Sequence, residues 1–343
     1  GFPGFLPDDA SMAPDSQQHE ATPPVDPEGR STVACLEAAF HRPASAPAAL
    51  PAPVLGDDCW ILSGPTAAGK TSLSLLLAGR LDAEIVSADS MAVYRGLDIG
   101  TAKPTAAQRE QVVHHLVDVV EPGEGYTVAR WLADAAAAVE SCRRRGKRVL
   151  FAGGTPLYLR ALRDGLDPQP AGDPEFRRRL EDEVRAAGAG HLHARLAAVD
   201  PRAADRIHPH DTRRIIRALE VVQATGRPTP SSWGEERPQA PAFTGQMLVL
   251  DLPRRTLRER IDRRVEEMFA AGLIEETRAA AAKPGGIGPT ARQAAGYAEA
   301  LDVLAGRLTT AEAIRLTQQR TRQLAKRQIT WLRSFKSAIW LGC

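Results

Sequence analysis

The chain has 343 residues, 43% of them hydrophobic and 25% charged, with a formal net charge of +2. That is room for one large domain or two modest ones, at the composition of an ordinary globular protein. No apolar run approaches the length of a membrane span, so no membrane association is expected. The four cysteines Cys35, Cys59, Cys142 and Cys343 show no C-x-x-C spacing. This argues against a zinc ribbon or a disulfide framework and fits a reducing compartment, so the expectation is a cytoplasmic protein; a monomer is also expected. The pairs His191/His193 and His208/His210 are too close-set for the usual zinc patterns.

Residues 1–57 are rich in Pro, Ala, Asp and Ser, lack periodicity and carry two basic and eight acidic groups. They read as a disordered acidic tail, with neither the basic n-region nor the apolar core of a secretory signal. From residue 58 strands and helices alternate. Cys59–Ser63 is a short apolar strand, and Gly64-Pro65-Thr66-Ala67-Ala68-Gly69-Lys70-Thr71 matches the G-x-x-x-x-G-K-[ST] pattern. Glycines at those positions let consecutive N–H groups turn inward onto an anion. Lys70 can reach the outer phosphate and the Thr71 hydroxyl can ligate Mg²⁺. A helix beginning at Thr71 would point its positive end at that anion.

Further strands are expected at Glu84–Asp89, Arg148–Ala152 and Gln246–Asp251, with a helix over Tyr126–Arg145 between the first two. Such alternation predicts an α/β fold, a P-loop NTPase-like parallel sheet with helices on both faces. Residues 167–240 carry helical patterns at Pro174–Ala187, Gly190–Val199 and Asp211–Thr225 and read as a helical insertion, ending in a Pro/Ser-rich connector from Pro228 to Pro241. The catalytic core is then 58–166 with 241–343. Helices over Leu257–Gly272 and Ile274–Lys283 are followed by more helices to the end.

Ligands of parallel sheets sit at the carboxyl ends of the strands. That rule brings together the phosphate loop, Asp89-Ser90 and Gly153-Gly154-Thr155. Asp89 could hold Mg²⁺ through water, take a proton from a nucleophile, or cap the segment after it. Thr155 could bond a phosphate or leaving-group oxygen, or serve as a helix N-cap, and the glycine pair before it permits close backbone approach to a ligand. Arg213 and Arg217 share a helix face with Arg214 beside them, placed either to clamp phosphates or to decorate a solvated side. Arg315 to Lys336 holds seven Lys/Arg and no acid. This stripe suits a phosphate-rich partner, and a solvated helix face is the alternative.

In order along the chain, the loop 64–71, Ser87-Ala-Asp-Ser-Met-Ala-Val-Tyr-Arg-Gly-Leu-Asp-Ile-Gly-Thr-Ala-Lys-Pro104, His114-His115-Leu116, Gly153-Gly-Thr-Pro-Leu-Tyr158, Arg217-Ala-Leu-Glu-Val221 and Thr321-Arg-Gln-Leu-Ala-Lys-Arg-Gln-Ile-Thr-Trp-Leu-Arg333 resemble the bacterial tRNA dimethylallyltransferases, the tRNA isopentenyltransferase family. The resemblance covers about 60–341. It implies transfer of a dimethylallyl group from dimethylallyl diphosphate to N6 of the adenosine 3′ of the tRNA anticodon, with Mg²⁺ as cofactor. The loop Gly64–Thr71 would then cradle the prenyl diphosphate, Asp89 would be the general base, and Thr155, Arg264 and Lys70 would face the diphosphate. It also implies tRNA contacts at Asp89, Ser90, Met91 and Ala92, at Thr155 and Arg177, at Arg213, Arg214, Ile215, Ile216 and Arg217, and at Arg292, Gln293, Ala294, Ala295, Gly296 and Tyr297. Ala92 stands where many members carry Gln. The competing readings are an adenylate isopentenyltransferase, a small-molecule P-loop kinase and a non-catalytic RNA-binding protein.

Overall fold

The computed structural model describes residues 55–166, 170–229 and 245–342. The acidic tail up to residue 54, the connector beyond residue 229, Cys35 and Cys343 lie outside the described residues. The described residues divide into two compact units, 55–166 with 245–342 and 170–229.

The larger unit is built on six parallel strands: β1 (Cys59–Ser63), β2 (Ala83–Ser87), β3 (His114–His115), β4 (Arg148–Ala152), β5 (Gln246–Asp251) and β6 (Ile339–Gly342), in the order β3-β2-β4-β1-β5-β6. The central strands read as continuous apolar runs because both faces are covered. Alternate residues feed two cores: Ile61, Val86, Phe151 and Val249 pack on one face, and Leu62, Ile85, Leu150 and Leu250 on the other. Helix α1 (Lys70–Leu81) follows β1 and lays Ala78 into the second core. The short α2 (Ala106–Gln111) opens with a reciprocal Thr105/Gln108 capping box. Helix α3 (Val128–Arg144), capped by Thr127, buries Trp131, Leu132 and Val139 in the first core, and α4 (Pro156–Asp164) leaves β4.

The connection from β1 passes β4 to reach β2, whereas the chain leaving β4 passes β1 to reach β5. Neighbouring strands β1 and β4 therefore send their connections in opposite directions. This is the switch point at which open α/β sheets bind ligands.

The smaller unit holds α5 (Pro174–Ala187), α6 (Ala189–Val199), α7 (Pro201–Arg206) and α8 (Thr212–Thr225), packed around Phe176, Leu180, Leu192, Leu196, Ile215 and Leu219. Back in the larger unit, β5 is followed by α9 (Arg254–Ala270), α10 (Leu273–Ala281), a 3-10 turn at Ala291–Gln293, α11 (Tyr297–Leu304) and the long α12 (Thr310–Leu332). The chain is not helical to its end. A turn closed by Ser334 N–H onto the Trp331 carbonyl stops α12, and β6 then adds to β5.

Candidate active site

The phosphate loop leaves β1 and closes at Gly69, whose left-handed φ of 96° lets α1 start at Lys70. The Lys70 ammonium is folded back into the loop, donating to the carbonyls of Gly64 (3.0 Å) and Pro65 (2.8 Å). Burial pulls its pKa down from 10.5 to about 8, against the attraction of Asp89 and reinforced by the like charge of Arg264. Thr71 is exposed at the first turn of α1. Arg264 comes from α9 and reaches the Thr66 hydroxyl at 3.4 Å, and burial lowers its pKa as well.

Strand β2 ends at Ser87, and Asp89 sits in the turn beyond it. No helix follows, so Asp89 caps no helix. Its Oδ1 accepts a 2.8 Å bond from the Met91 amide and closes a tight turn. Thr155 stands at the N-terminus of α4, yet its hydroxyl makes no capping bond. The hydroxyl accepts from the Ser90 amide at 3.0 Å and donates to the Ser90 hydroxyl at 3.3 Å. The glycines before it serve backbone packing. A Cβ on Gly153 would lie 2.3 Å from the Ala88 carbonyl, and one on Gly154 2.9 Å from the Gly64 carbonyl.

These turns open onto one crevice. Lys70, Thr71 and Asp89 give it polar groups, and Ile85, Ala92, Ala102, Pro104, Val117 and Ala152 give it an apolar wall. Lys103 and His114 also line it, and neither was expected there from the sequence, although both lie inside conspicuous motifs. Lys103 is buried between the Tyr94 carbonyl, Asp98 and Asp118. His114 bonds the Val112 carbonyl through Nδ1 at 2.7 Å, and burial lowers its pKa. A third unforeseen residue, Gln328 of α12, reaches both the loop and the Gly154 turn.

Behind β2 the side chains of Glu84, His115 and Cys142 converge. Arg145 takes both Glu84 oxygens, at 2.9 and 2.5 Å, and His115 Nε2 lies 2.6 Å from Oε2. That fork, helped by His115, holds the carboxyl down at about 2, while burial and the Glu84 charge push the Cys142 thiol up to about 11. The cluster is a filled hydrogen-bond network that ties β3 to β2 and α3.

The expected RNA-contact residues divide by exposure. Arg213 and Arg214 are exposed, whereas Ile215 and Ile216 are buried in the small unit's own core. Arg177 and Arg217 both spend their guanidinium on Glu220, which is 3% exposed, and Arg217 also donates to the Pro170 carbonyl at 2.9 Å. In the large unit Arg292 and Gln293 are exposed, while Ala294, Gly296 and Tyr297 are buried and Ala295 is half-buried. Tyr297 donates its hydroxyl to Glu276 at 2.5 Å and accepts from the Gly100 amide. Along α12, Arg320 pairs with Glu299 and Arg322 with Asp262, and Lys326 and Arg327 are exposed.

With a phosphate-loop sequence at the switch point, an acid on the next strand's turn and an apolar wall, the large unit has the arrangement of a P-loop α/β enzyme. A family model described as IPP transferase matches residues 92–335. The tRNA dimethylallyltransferase of Anaeromyxobacter dehalogenans strain 2CP-C is 52% identical over 82% of this chain and 94% of that protein. The one of Geobacter metallireducens is 47% identical over 82% of this chain and 91% of that protein. Among solved structures, the tRNA isopentenylpyrophosphate transferase of Bacillus halodurans superposes with a TM-score of 0.61 at 38% identity, covering 83% of this chain and 90% of that one. A eukaryotic dimethylallyltransferase, described as acting on tRNA, does so with a TM-score of 0.69 at 28% identity, covering 83% and 73%. The chain belongs to the IPP transferase family.

Proposed function

We propose that the protein is a tRNA dimethylallyltransferase that moves the dimethylallyl group of dimethylallyl diphosphate to N6 of the adenosine 3′ of the anticodon, working as a cytoplasmic monomer. The observation that carries this reading is the pairing, in one crevice, of a phosphate loop with an apolar wall and a carboxylate. A nucleotide kinase site needs the first and third of these, and an allylic diphosphate needs all three.

The residues divide the work. Loop amides, Lys70 and Arg264 hold the diphosphate and stabilise the charge it gains as the bond from its oxygen to the allylic carbon breaks. The wall formed by Ile85, Ala92, Ala102, Pro104 and Val117 offers the C5 chain apolar contact and gives water no partner. Adenine N6 bonds to the allylic carbon and Asp89 receives the N6 proton, so the amine ends neutral and the diphosphate leaves with the electron pair. The adenosine must be turned out of the anticodon stack to get there. Arg213 and Arg214 on the small unit, and Arg292, Lys326 and Arg327 on the large one, are exposed cations suited to the RNA backbone. Arg177 and Arg217 contribute by holding α5 to α8 through Glu220.

Mg²⁺ fits the donors present. The Thr71 hydroxyl is a hard oxygen ligand in the crevice, and the Asp89 carboxylate beside it could hold the ion's water. Bound there, Mg²⁺ would supply charge neutralisation for the leaving diphosphate. Incubation with labelled dimethylallyl diphosphate, Mg²⁺ and unmodified tRNA, AMP or ATP tests the reading. Label in tRNA supports it. Label only in AMP, or phosphate transfer from ATP, overturns it.

A further inference from the structure

Thr66, Gly154 and Gln328 are far apart in the chain, yet one side chain joins them. Gln328 lies on the inner face of α12 and is 8% exposed. Its Oε1 accepts a 2.8 Å bond from the Thr66 amide in the middle of the phosphate loop. Its Nε2 donates a 2.8 Å bond to the Gly154 carbonyl. The two ends of the amide are used in opposite senses, so their assignment is fixed by the partners. Gly154 is shaped for the contact, because a Cβ there would stand 2.8 Å from Nε2.

The consequence is geometric. Thr66 is held twice, through its amide by Gln328 and through its hydroxyl by Arg264. Gly154 precedes Thr155, whose hydroxyl fixes the Ser90 amide beside Asp89. The path from phosphate loop to carboxylate therefore runs Thr66, Gln328, Gly154, Thr155, Ser90. Its ends adjoin Asp89 on one side and the Lys70 loop on the other, both of which reach the crevice, and a buried amide in the middle ties them together. We propose that Gln328 is a positioning residue for the transfer reaction: it sets the diphosphate loop against the Thr155 and Asp89 turns without touching either substrate. This rests on the transferase reading given above. Only a neutral group that both donates and accepts at that reach fits the site. Ionised glutamate lacks the donor, and methionine lacks the donor and offers only a weak sulfur acceptor.

The test compares the wild-type protein with Gln328→Met and Gln328→Glu, each checked for its melting temperature and for tRNA affinity by filter binding. Displacement of catalytic groups by about 1 Å costs on the order of 10²-fold. Gln328→Met should lose roughly that much in kcat/KM for dimethylallyl diphosphate while tRNA affinity stays within about twofold. Gln328→Glu should be as poor at pH 8 and recover, relative to wild type, as the pH falls. The protonated carboxyl can then accept from Thr66 and donate to Gly154. A Gln328→Met enzyme with wild-type kcat/KM overturns the proposal. So does a Gln328→Glu defect that does not respond to pH, or a parallel loss of tRNA affinity. Calorimetry with inorganic diphosphate gives a readout that does not depend on transfer. If wild type binds diphosphate but prenylates nothing, the transferase reading fails. Weakened diphosphate binding in Gln328→Met then still supports the positioning role, and unchanged binding overturns it.

Discussion

The Thr155 hydroxyl accepts a hydrogen bond from the Ser90 amide across two strand ends and leaves its own helix N-terminus uncapped. This tie places the Asp89 turn at a fixed distance from the Gly153-Gly154 turn. Thr155→Val deletes the hydroxyl at nearly constant volume and strands the Ser90 amide, at a cost of about 1–3 kcal/mol in stability. Prenyl transfer should fall by roughly 10²-fold, and Thr155→Ser should restore most of it. Thermal melts and initial rates on tRNA check both.

Asp89 has one oxygen engaged with the Met91 amide, which leaves the other for chemistry. Asp89→Asn keeps that turn bond through its amide oxygen but cannot take a proton. Turnover should drop by roughly 10²–10⁴-fold with tRNA affinity retained. If Asp89→Asn instead abolishes tRNA binding while chemistry on bound tRNA survives, the base assignment is wrong.

Lys70 titrates near 8 in the free protein, whereas an exposed lysine holds its proton to about 10.5. Between those values the unfolded chain binds more protons than the folded one. The free protein therefore gains stability from this group as pH rises through the window. Diphosphate affinity should move the other way, falling above pH 8 with uptake of one proton per molecule bound. Calorimetry in buffers of different ionisation enthalpy measures that proton, and Lys70→Met should abolish its uptake.

Gly153 has no room for a side chain. Gly153→Ala drives a methyl into the Ala88 carbonyl. Overpacking of this kind costs about 1–3 kcal/mol, and the strain falls on the turn leading to Asp89. A lowered denaturation midpoint together with slower transfer is expected. Gly125→Ala is the control for an added methyl in open space: like Gly153 it has no left-handed φ, and nothing lies within 4 Å of the added Cβ.

Glu84 is held near 2, against an ordinary 4.5, by the Arg145 fork. Its contribution to stability is complete above pH 4.5 and is lost as the pH falls toward 2. Glu84→Gln should cost about 1.5–3 kcal/mol at neutral pH, and the gap to wild type should close in that acid range of a urea-unfolding series. The thiols of Cys59 and Cys142, buried and pushed up to about 12 and about 11, should resist iodoacetamide in the native protein, as read by peptide mass mapping.

Much of this architecture is legible in the sequence, and the rest was hidden for identifiable reasons. β1, β4 and β5 follow the predicted bounds because central parallel strands must be apolar on both faces. β3 escapes that logic: two histidines at a sheet edge carry no apolar pattern, and only two register pairs define them. β6 follows a long helix with no glycine or proline between, so its sequence reads as more helix. The short α2 is absent from the sequence reading although Thr105, three residues before Gln108, carries a capping-box signal. The placement of the loop, Asp89 and Thr155 at strand ends was legible because motif and strand-end rules act locally. The direction of the Thr155 hydroxyl depends on Ser90, 65 residues away, and the partner of the Thr66 amide lies 262 residues downstream. No local pattern encodes either. The shared engagement of Arg177 and Arg217 with Glu220 was not legible, because the buried acid between them comes into reach only when α5 packs on α8.

The pairing of β5 with β6 has a consequence for biogenesis. During vectorial synthesis β5 emerges well before its neighbour, and its backbone remains an unsatisfied edge while α9 through α12 are made. Gln328 emerges in that same late interval. A nascent chain thus presents a complete phosphate loop long before it can shape it, so stalled or prematurely released products would be inactive and prone to strand addition by other chains.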